Sequence, residues 1–469
     1  MSTRTTDPGL VATMQRLTAP LYRTGENLYL RAQREEMLEA RSFLSESQWW
    51  SRDRLRQYQN ERVDSLTTYA YEHVPYYREV MDEHGVGPTD VRTTDDLTLL
   101  PILDRATLQE RYEDLLSTEV DRSSLLIRET GGTTGEPVKV AVDDTHYAFA
   151  RESQNRGFGY GDYRPGEPIV KLTGGSVLGP SDDTLLTKLR TFSAGTVFLP
   201  AFELGEDNVD DYVDTIAKHR ATHIRGYSSS IYQLARLVAD RDYTLNLNGV
   251  FPTADILYDY QRELIEEQLG EVFCYYTAME ARAMAYECRA AHDFHISDEH
   301  VFLEALNGTE RVPPGQPGEF AITTLQNRAM PLIRYRNGDA GVIESGSCPC
   351  GRNSRRITTL HGRTTDFLKA TDGRLVSGLF VPHVFRKTDT IKRIQVYQPS
   401  TDEIRLRVVA ADDHREAELS HIVDRITEYL GDVDYRVEYV DSIPTSASGK
   451  RRFVVSDVVD DVDSAMVID

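Results

Sequence analysis

Apolar residues recur along this chain with two different periods, and the changes of period mark out its organisation. Residues 1 to about 120 read as mainly helical, with Trp49, Trp50, Leu55, Tyr58, Val63, Leu66, Tyr69 and Ala70 at helix-like spacing. Pro75 should end that helix, because its ring cannot continue the hydrogen-bond ladder. Asp104 is a suitable N-cap for a further helix over Arg105–Leu116. From about 125 to 330, strand-like runs (Pro168–Leu172, Gly195–Leu199, His223–Gly226, Gly249–Thr253) alternate with helical ones (Val209–His219, Ser229–Ala239). Such alternation predicts α/β layering around a largely parallel sheet. A smaller α+β unit begins near residue 363. There Ile404, Leu406 and Val408 alternate with charges, and Leu419, Ile422, Val423, Ile426 and Leu430 follow helical spacing up to a C-cap at Gly431. Tyr435–Val440 then reads as another strand. The expected division is a large domain over 1–362 and a lid over 363–469.

Length supports that division, since 469 residues exceed one ordinary core. No run of 18 apolar residues occurs, so no membrane-spanning helix is expected. Met1–Asp7 lacks the apolar segment of a secretory signal, which makes the cytoplasm the default location. The net charge of -22, from 75 acidic against 53 basic residues, repels nucleic acid and anionic lipid alike. The acids are dispersed, lysines are few, and Asp457–Asp463 forms an acidic tail. That balance fits a protein kept soluble in a high-salt cell.

The most informative segment is Glu129-Thr130-Gly131-Gly132-Thr133-Thr134-Gly135-Glu136-Pro137. Glycines let backbone N–H groups turn toward an anion, and threonines add hydroxyl donors. Strand-like residues flank it, Ser124–Ile127 before and Val138–Val142 after, so it reads as a hairpin tip that holds phosphate. No Gly-Lys-Ser/Thr follows it, which separates it from the Walker pattern.

Four further segments follow in order: Tyr276-Thr277-Ala278-Met279-Glu280, Arg334-Tyr335-Arg336-Asn337-Gly338-Asp339, Gly362-Arg363-Thr364-Thr365-Asp366, and Pro444-Thr445-Ser446-Ala447-Ser448-Gly449-Lys450. Together with the threonine-rich loop they resemble the adenylate-forming superfamily of acyl-CoA ligases and adenylation domains. The resemblance implies a large α/β domain with parallel-rich sheets and a small mobile α+β lid hinged near 363–366. It implies that Thr130, Gly131, Gly132, Thr133, Thr134 and Gly135 hold ATP phosphates, with Thr134 among the catalytic groups. Tyr276 would stack on adenine and Glu280 would orient magnesium, a hard cation that favours oxygen ligands. Asp339 would accept from both ribose hydroxyls, with Arg363 as a second ribose or phosphate contact. Lys450 would swing in to bridge the carboxylate and the α-phosphate electrostatically. Thr277 and Met279 depart from the pattern, which usually has Gly and Ser/Thr there.

The four cysteines open a second constellation. Cys348-Pro349-Cys350 is a tight pair, with Tyr286-Glu287-Cys288 and Phe294-His295-Ile296 upstream. Cys288, His295, Cys348 and Cys350 would make a closed structural zinc site, with His292 the rival fourth ligand. These residues with Arg334-Tyr335-Arg336 resemble the phenylacetate–CoA ligase branch. Thr371-Asp372-Gly373-Arg374 and Gly449-Lys450-Arg451-Arg452 are similar to its capsule-biosynthesis, CapK-like subgroup. The branch's Arg-Gly-x-Asn turn after the hinge is absent, and Thr365 stands where many relatives have Asp.

The resemblance implies an ATP-dependent ligase that activates a carboxylic acid as an acyl or aryl adenylate and passes it to a thiol, coenzyme A first among candidates. Adenylyl transfer to a hydroxyl, acylation of a coenzyme or glycan, and a non-catalytic nucleotide-binding relative are the alternatives. The acyl pocket is expected near Tyr227, Ser228, Ser229, Ala254 and Asp255. A homodimer is common in this branch, and the sequence leaves the oligomeric state open.

Overall fold

Strand and helix alternate from residue 196 to 272 as the pattern predicts, and with the strand over 169–173 they build a parallel sheet. The structure is a computed structural model. It describes residues 35–129, 138–173, 195–201, 203–241, 243–363, 367–372, 375–377, 381, 390–411, 416–443 and 453–458. The threonine-rich segment 130–137, the hinge residues Thr364-Thr365-Asp366, the loop ending in Lys450 and the acidic tail lie outside the described residues.

Three helices open the described chain, α1 (Glu35–Ser47), α2 (Arg52–His73) and α3 (Pro75–His84). Two details differ from expectation. Trp49 and Trp50 lie in the turn between α1 and α2, where Ser51 caps α2 by accepting from the Arg54 N–H. Pro75 stops α2 but also starts α3, since a missing N–H costs nothing in a first turn. Asp104 caps α4 as expected, accepting from the Thr107 N–H, but α4 covers only Arg105–Glu110. Its continuation is a run of turns that still buries Leu115 and Leu116.

A hairpin follows, β1 (Leu126–Glu129) with β2 (Lys139–Val142), ending in the pair Glu129–Lys139. Its first strand starts two residues later than read, after a short 3-10 turn over Arg122–Ser124. The threonine-rich segment therefore joins two antiparallel strands.

Next come α5 (Asp144–Phe158), β3 (Ile169–Thr173), β4 (Thr196–Pro200), α6 (Val209–Lys218), β5 (His223–Tyr227), α7 (Ser228–Ala239), β6 (Leu247–Thr253), α8 (Asp259–Gln268) and β7 (Gly270–Val272). The strands form one parallel sheet of order β4-β3-β5-β6-β7. Its even-numbered face, with Val170, Leu172, Ile224 and Val250, packs on α6, α7 and α8 through Ile216, Leu234, Val238 and Ile265. The opposite face meets aromatic residues: Phe158, Phe251, Phe273, Tyr275 and Tyr286.

Beyond Val272 the parallel pattern stops. The strands β8 (Tyr275–Tyr276), β9 (Ala285–Glu287), β10 (Phe294–Ile296), β11 (Val301–Asn307), β12 (Glu310–Arg311), β13 (Pro317–Thr324), β14 (Tyr335–Glu344) and β15 (Arg356–Arg363) form an antiparallel sheet of order β12-β11-β13-β14-β15-β10-β9-β8. The large domain is thus parallel in one sheet and antiparallel in the other. Short connections explain the change, because a parallel pair needs a crossover of a dozen or more residues.

A separate C-terminal domain carries its own core of Leu368, Ile394, Val396, Leu406, Ile422, Ile426 and Val454. It contains β16 (Phe367–Lys369), β17 (Leu375–Ser377), β18 (Ile391–Ser400), β19 (Glu403–Ala410), α9 (Glu416–Leu430), β20 (Asp434–Tyr439) and β21 (Val454–Ser456). Gly431 follows α9 at φ +87°, the left-handed C-cap that its sequence promised. No helix among the described residues is long and apolar enough to cross a membrane.

Candidate functional site

Strands β8 and β14 bring together the first cluster of polar groups. The Tyr276 hydroxyl, at the end of β8, donates to Asp339 Oδ2 at 2.7 Å. The Asn337 amide donates both to that hydroxyl, at 2.8 Å, and to Asp339 Oδ2, at 2.7 Å. Gly338 lies between them at φ +79°, which lets the chain kink so that Asn337 and Asp339 converge on one hydroxyl. The Tyr276 ring is buried and packs on Phe320 at 5.9 Å. Burial, with Asp339 beside it, pushes the phenol well above its ordinary range, so Tyr276 acts as a neutral donor.

Glu280 follows in the turn after β8. It is 8% exposed, and the Tyr335 hydroxyl donates to its Oε1 at 3.2 Å. Its carboxylate is close enough to act on the Tyr276 phenol together with Asp339. Tyr335 opens β14 and is anchored there by Arg334, which is fully buried and donates to the carbonyls of Leu100 and Thr309. Arg336 is likewise committed to the fold, pairing with Glu319 at 3.1 Å. Met279, beside Glu280, is exposed.

Three sequence-predicted residues therefore share one locality: Tyr276, Glu280 and Asp339. Arg363 joins them as the register partner of Asp339 across β14 and β15, placed by its backbone. Thr130 to Gly135, including Thr134, and Lys450 lie outside the described residues. Two participants went unassigned in the sequence, Asn337 and Tyr335. Both stand inside the Arg334–Asp339 motif, and their alternation with Asp339 on a strand was the available signal.

The residues expected to line an acyl pocket meet at the carboxyl ends of β5 and β6. The Ser229 hydroxyl donates to Asp255 Oδ2 at 2.8 Å, and the Ser228 hydroxyl to the Asp255 carbonyl at 2.8 Å. Tyr227 and Thr253 are register partners beside them, and Ala254 takes a left-handed φ of +72°. Crevices at strand carboxyl ends are where open α/β sheets bind ligands.

The cysteines form the second site. Cys288 follows β9, His295 is in β10, and Cys348 and Cys350 occupy the loop between β14 and β15. Gly351, at φ +90°, closes that loop by donating its N–H to the Cys348 carbonyl at 2.9 Å. The four ligand atoms lie within 4.8 Å of one another. The Cys288 and Cys348 sulfurs are 3.6 Å apart, and the Cys350 sulfur is 3.3 Å from His295 Nε2. The thiols are free, since a disulfide would need about 2.05 Å. In a tetrahedron with bonds of about 2.3 Å to sulfur, neighbouring sulfurs stand about 3.7 Å apart, so the donor set fits zinc.

Its electrostatics point the same way. Burial, reinforced by Arg352 and Arg356, pulls His295 down to about 3, so its imidazole is neutral. Its Nδ1 pairs with the Ser354 hydroxyl at 2.9 Å, which leaves the Nε2 lone pair facing the thiols. Burial pushes Cys348 up to about 12. Burial acts in the same sense on Cys350, but hydrogen bonds from Arg352 outweigh it and hold that thiol low. A central cation would supply the charge that stabilises all three thiolates. His292, the rival ligand, is not part of the cluster.

Comparison with known proteins adds four findings. A family model described as the CapK C-terminal domain matches residues 368–457. Over 446 residues the chain is 26% identical to a phenylacetate–coenzyme A ligase of Thermus thermophilus, covering 86% of this chain and 97% of that one. Protein CapK of Staphylococcus aureus is 21% identical over 420 residues, 85% of this chain and 89% of the relative. Among solved structures, 2-hydroxyisobutyryl-CoA ligase in the postadenylation state, in complex with 2-HIB-AMP, superposes with a TM-score of 0.70 at 19% identity. It covers 88% of this chain and 91% of that one.

Proposed function

We propose, on the premise that this chain belongs to the adenylate-forming superfamily and to its phenylacetate–CoA ligase and CapK-like branch, that it is an ATP-dependent acid–thiol ligase. In the first half-reaction a carboxylate oxygen attacks the α-phosphorus of ATP and pyrophosphate leaves, giving an acyl or aryl adenylate. In the second, the thiol sulfur of coenzyme A attacks the acyl carbon and AMP leaves.

The observation that carries this reading is the Tyr276–Asn337–Asp339 cluster with Glu280 beside it. Asp339 is held in place by two donors on one oxygen, which pre-orients its carboxylate for the ribose diol. Glu280 offers the oxygen donor that magnesium prefers, and Tyr335 fixes its rotamer. Magnesium bound there with ATP would neutralise phosphate charge. Thr130, Thr133 and Thr134 close over the phosphates, and Lys450 delivers its ammonium to the oxygens that gain charge in the transition state. The C-terminal domain acts as the lid, turning about residues 363–366 between the two half-reactions. Cys288, His295, Cys348 and Cys350 would hold a structural zinc, and four protein ligands would leave it no part in the chemistry. A metal held there would pin β10 and the β14–β15 loop, and β14 itself carries Asp339. The net charge of -22 suits an enzyme of a salt-rich cytoplasm.

Exchange of labelled pyrophosphate into ATP tests this reading. Exchange should require an added carboxylic acid, and Asp339→Ala should raise the KM for ATP by roughly tenfold or more, the loss expected for hydrogen bonds to a charged group. Exchange that requires a hydroxyl acceptor instead would mean adenylyl transfer, and the proposal would fall.

A further inference from the structure

The aromatic face of the parallel sheet carries two cations that the nucleotide chemistry does not use. Lys171 on β3 and Arg225 on β5 are register partners. They stand side by side on one face, about 5 Å apart at their backbones. Both point away from the face that buries Val170, Leu172 and Ile224. Their surroundings are rings. The Lys171 ammonium lies 5.1 Å from the centre of Phe198, and the Arg225 guanidinium 5.6 Å from that of Phe158. Among the described residues neither cation meets a carboxylate, in a chain with 75 acidic side chains to draw on.

Even half-burying cations without counter-charge is costly, and placing two together adds repulsion. Burial, with Arg225 and Arg151 close by, pulls the Lys171 ammonium down to about 7. The neighbouring polar groups are also unsatisfied. Tyr286, 3% exposed on β9, presents a buried hydroxyl with no hydrogen-bond partner, and Arg282, Arg225 and Arg156 are the cations that act on it. The Thr173 hydroxyl, one step beyond Lys171 on the same face, is buried without a partner as well. A set of donors that lacks any acceptor is the complement of an anion.

Its position ties it to the acid pocket. Tyr227 lies two residues beyond Arg225, at the carboxyl end of β5. Tyr275 stacks on Tyr286 at 5.8 Å, and the next residue is Tyr276, whose hydroxyl holds Asp339. The cations thus lie on the two strands that lead to the residues expected to line the acid pocket.

We propose that Lys171, Arg225 and Tyr286 bind a second, distal anionic group of the acid substrate, so that the enzyme activates one end of a dianion. This rests on the ligase reading above. The reacting carboxylate would face the α-phosphate, while the distal group would accept from the ammonium, the guanidinium and the phenol.

Matched acids test it. Glutarate, adipate, 4-carboxyphenylacetate and 4-sulfobenzoate are compared with valerate, hexanoate, phenylacetate and benzoate in the pyrophosphate-exchange assay. The anionic partner of at least one pair should have the higher kcat/KM by 100-fold or more. Lys171→Met and Arg225→Met should each cut that ratio at least tenfold while leaving exchange with the monoacid within about threefold. Both variants remove a half-buried charge and should fold. Monoacids preferred throughout, with ratios unmoved by either variant, would overturn the proposal and leave the ligase reading standing. If no acid supports exchange, the ligase reading fails. A nucleotide-free melting assay then decides the anion site alone. A diacid that raises the wild-type melting temperature but not that of Lys171→Met upholds the site, and equal shifts in both, or none in either, reject it.

Discussion

Asp298 provides a perturbation whose size is worked from the structure. It lies three residues after His295, and its carboxylate is fully buried. Oδ1 accepts from Arg355 Nε and Nη2, both at 3.0 Å, and from Gln59 Nε2 at 3.1 Å. Oδ2 accepts from the Arg355 N–H at 2.8 Å and from Arg52 Nη1 at 2.5 Å. Five donors from α2 and the strand after the cysteine loop therefore converge on one carboxylate. Burial alone would raise its pKa, but Arg355 and Arg52 outweigh burial and hold it at about 2. Against an ordinary value of about 3.9, that shift is worth roughly 2.5 kcal/mol. Asp298→Asn does more than cancel it. An amide NH2 would face donors, and Arg355 would be left buried without its counter-charge, a loss of about 3–5 kcal/mol. The sign follows from the depressed pKa: the contribution is whole above about pH 4 and disappears as pH falls toward 2. Urea unfolding followed by tryptophan fluorescence is the assay. Both tryptophans report on this region, because the Asn353 amide donates to the Trp50 carbonyl and Arg352 lies over Trp49. A loss below about 1 kcal/mol at pH 7, or an acid-side slope unchanged in the variant, would refute the reasoning.

Three further outcomes are expected. Elemental analysis should return close to one zinc per chain, lost in Cys348→Ser and Cys350→Ser, because four ligands fill one tetrahedral ion; folded, zinc-free wild type would contradict the site. Tyr276→Phe should raise the KM for ATP by roughly tenfold with a smaller change in kcat, since it removes a hydrogen bond to a charged group that orients Asp339; an unchanged KM would deny that role. His300, buried beside His146 and donating toward the Ala281 carbonyl at 2.9 Å, is held at about 4 by burial. An unfolded imidazole takes its proton near pH 6.5, so stability should fall between pH 6.5 and 4. The His300 share is roughly 3 kcal/mol, and His300→Gln should flatten that part of the profile; a pH-independent melting temperature in this window would exclude it.

The parallel sheet was legible because its strands are short apolar runs separated by helical ones, and β3, β5 and β6 fall within a residue or two of their expected bounds. The antiparallel half was not, since Ala285–Glu287 and Phe294–Ile296 are too short for any period to register. Helix ends depart from the sequence pattern where tertiary contact overrides local propensity, as over residues 111–116, which bury two leucines as turns. The Cys/His cluster was readable from spacing, because Cys-Pro-Cys confines two of its members to one loop. The Lys171–Arg225 pair was not readable. Each is one charged residue in a strand, and only the register of β3 against β5 shows that they adjoin.

The central claim is that a carboxylate oxygen becomes bonded to the α-phosphorus of ATP. An acid labelled with oxygen-18 in its carboxylate, turned over with ATP and coenzyme A, tests it most directly by mass spectrometry of the AMP released. The account predicts AMP that carries a single labelled oxygen for each thioester formed. AMP without label, or an adenylylated acceptor with no free AMP, would contradict it.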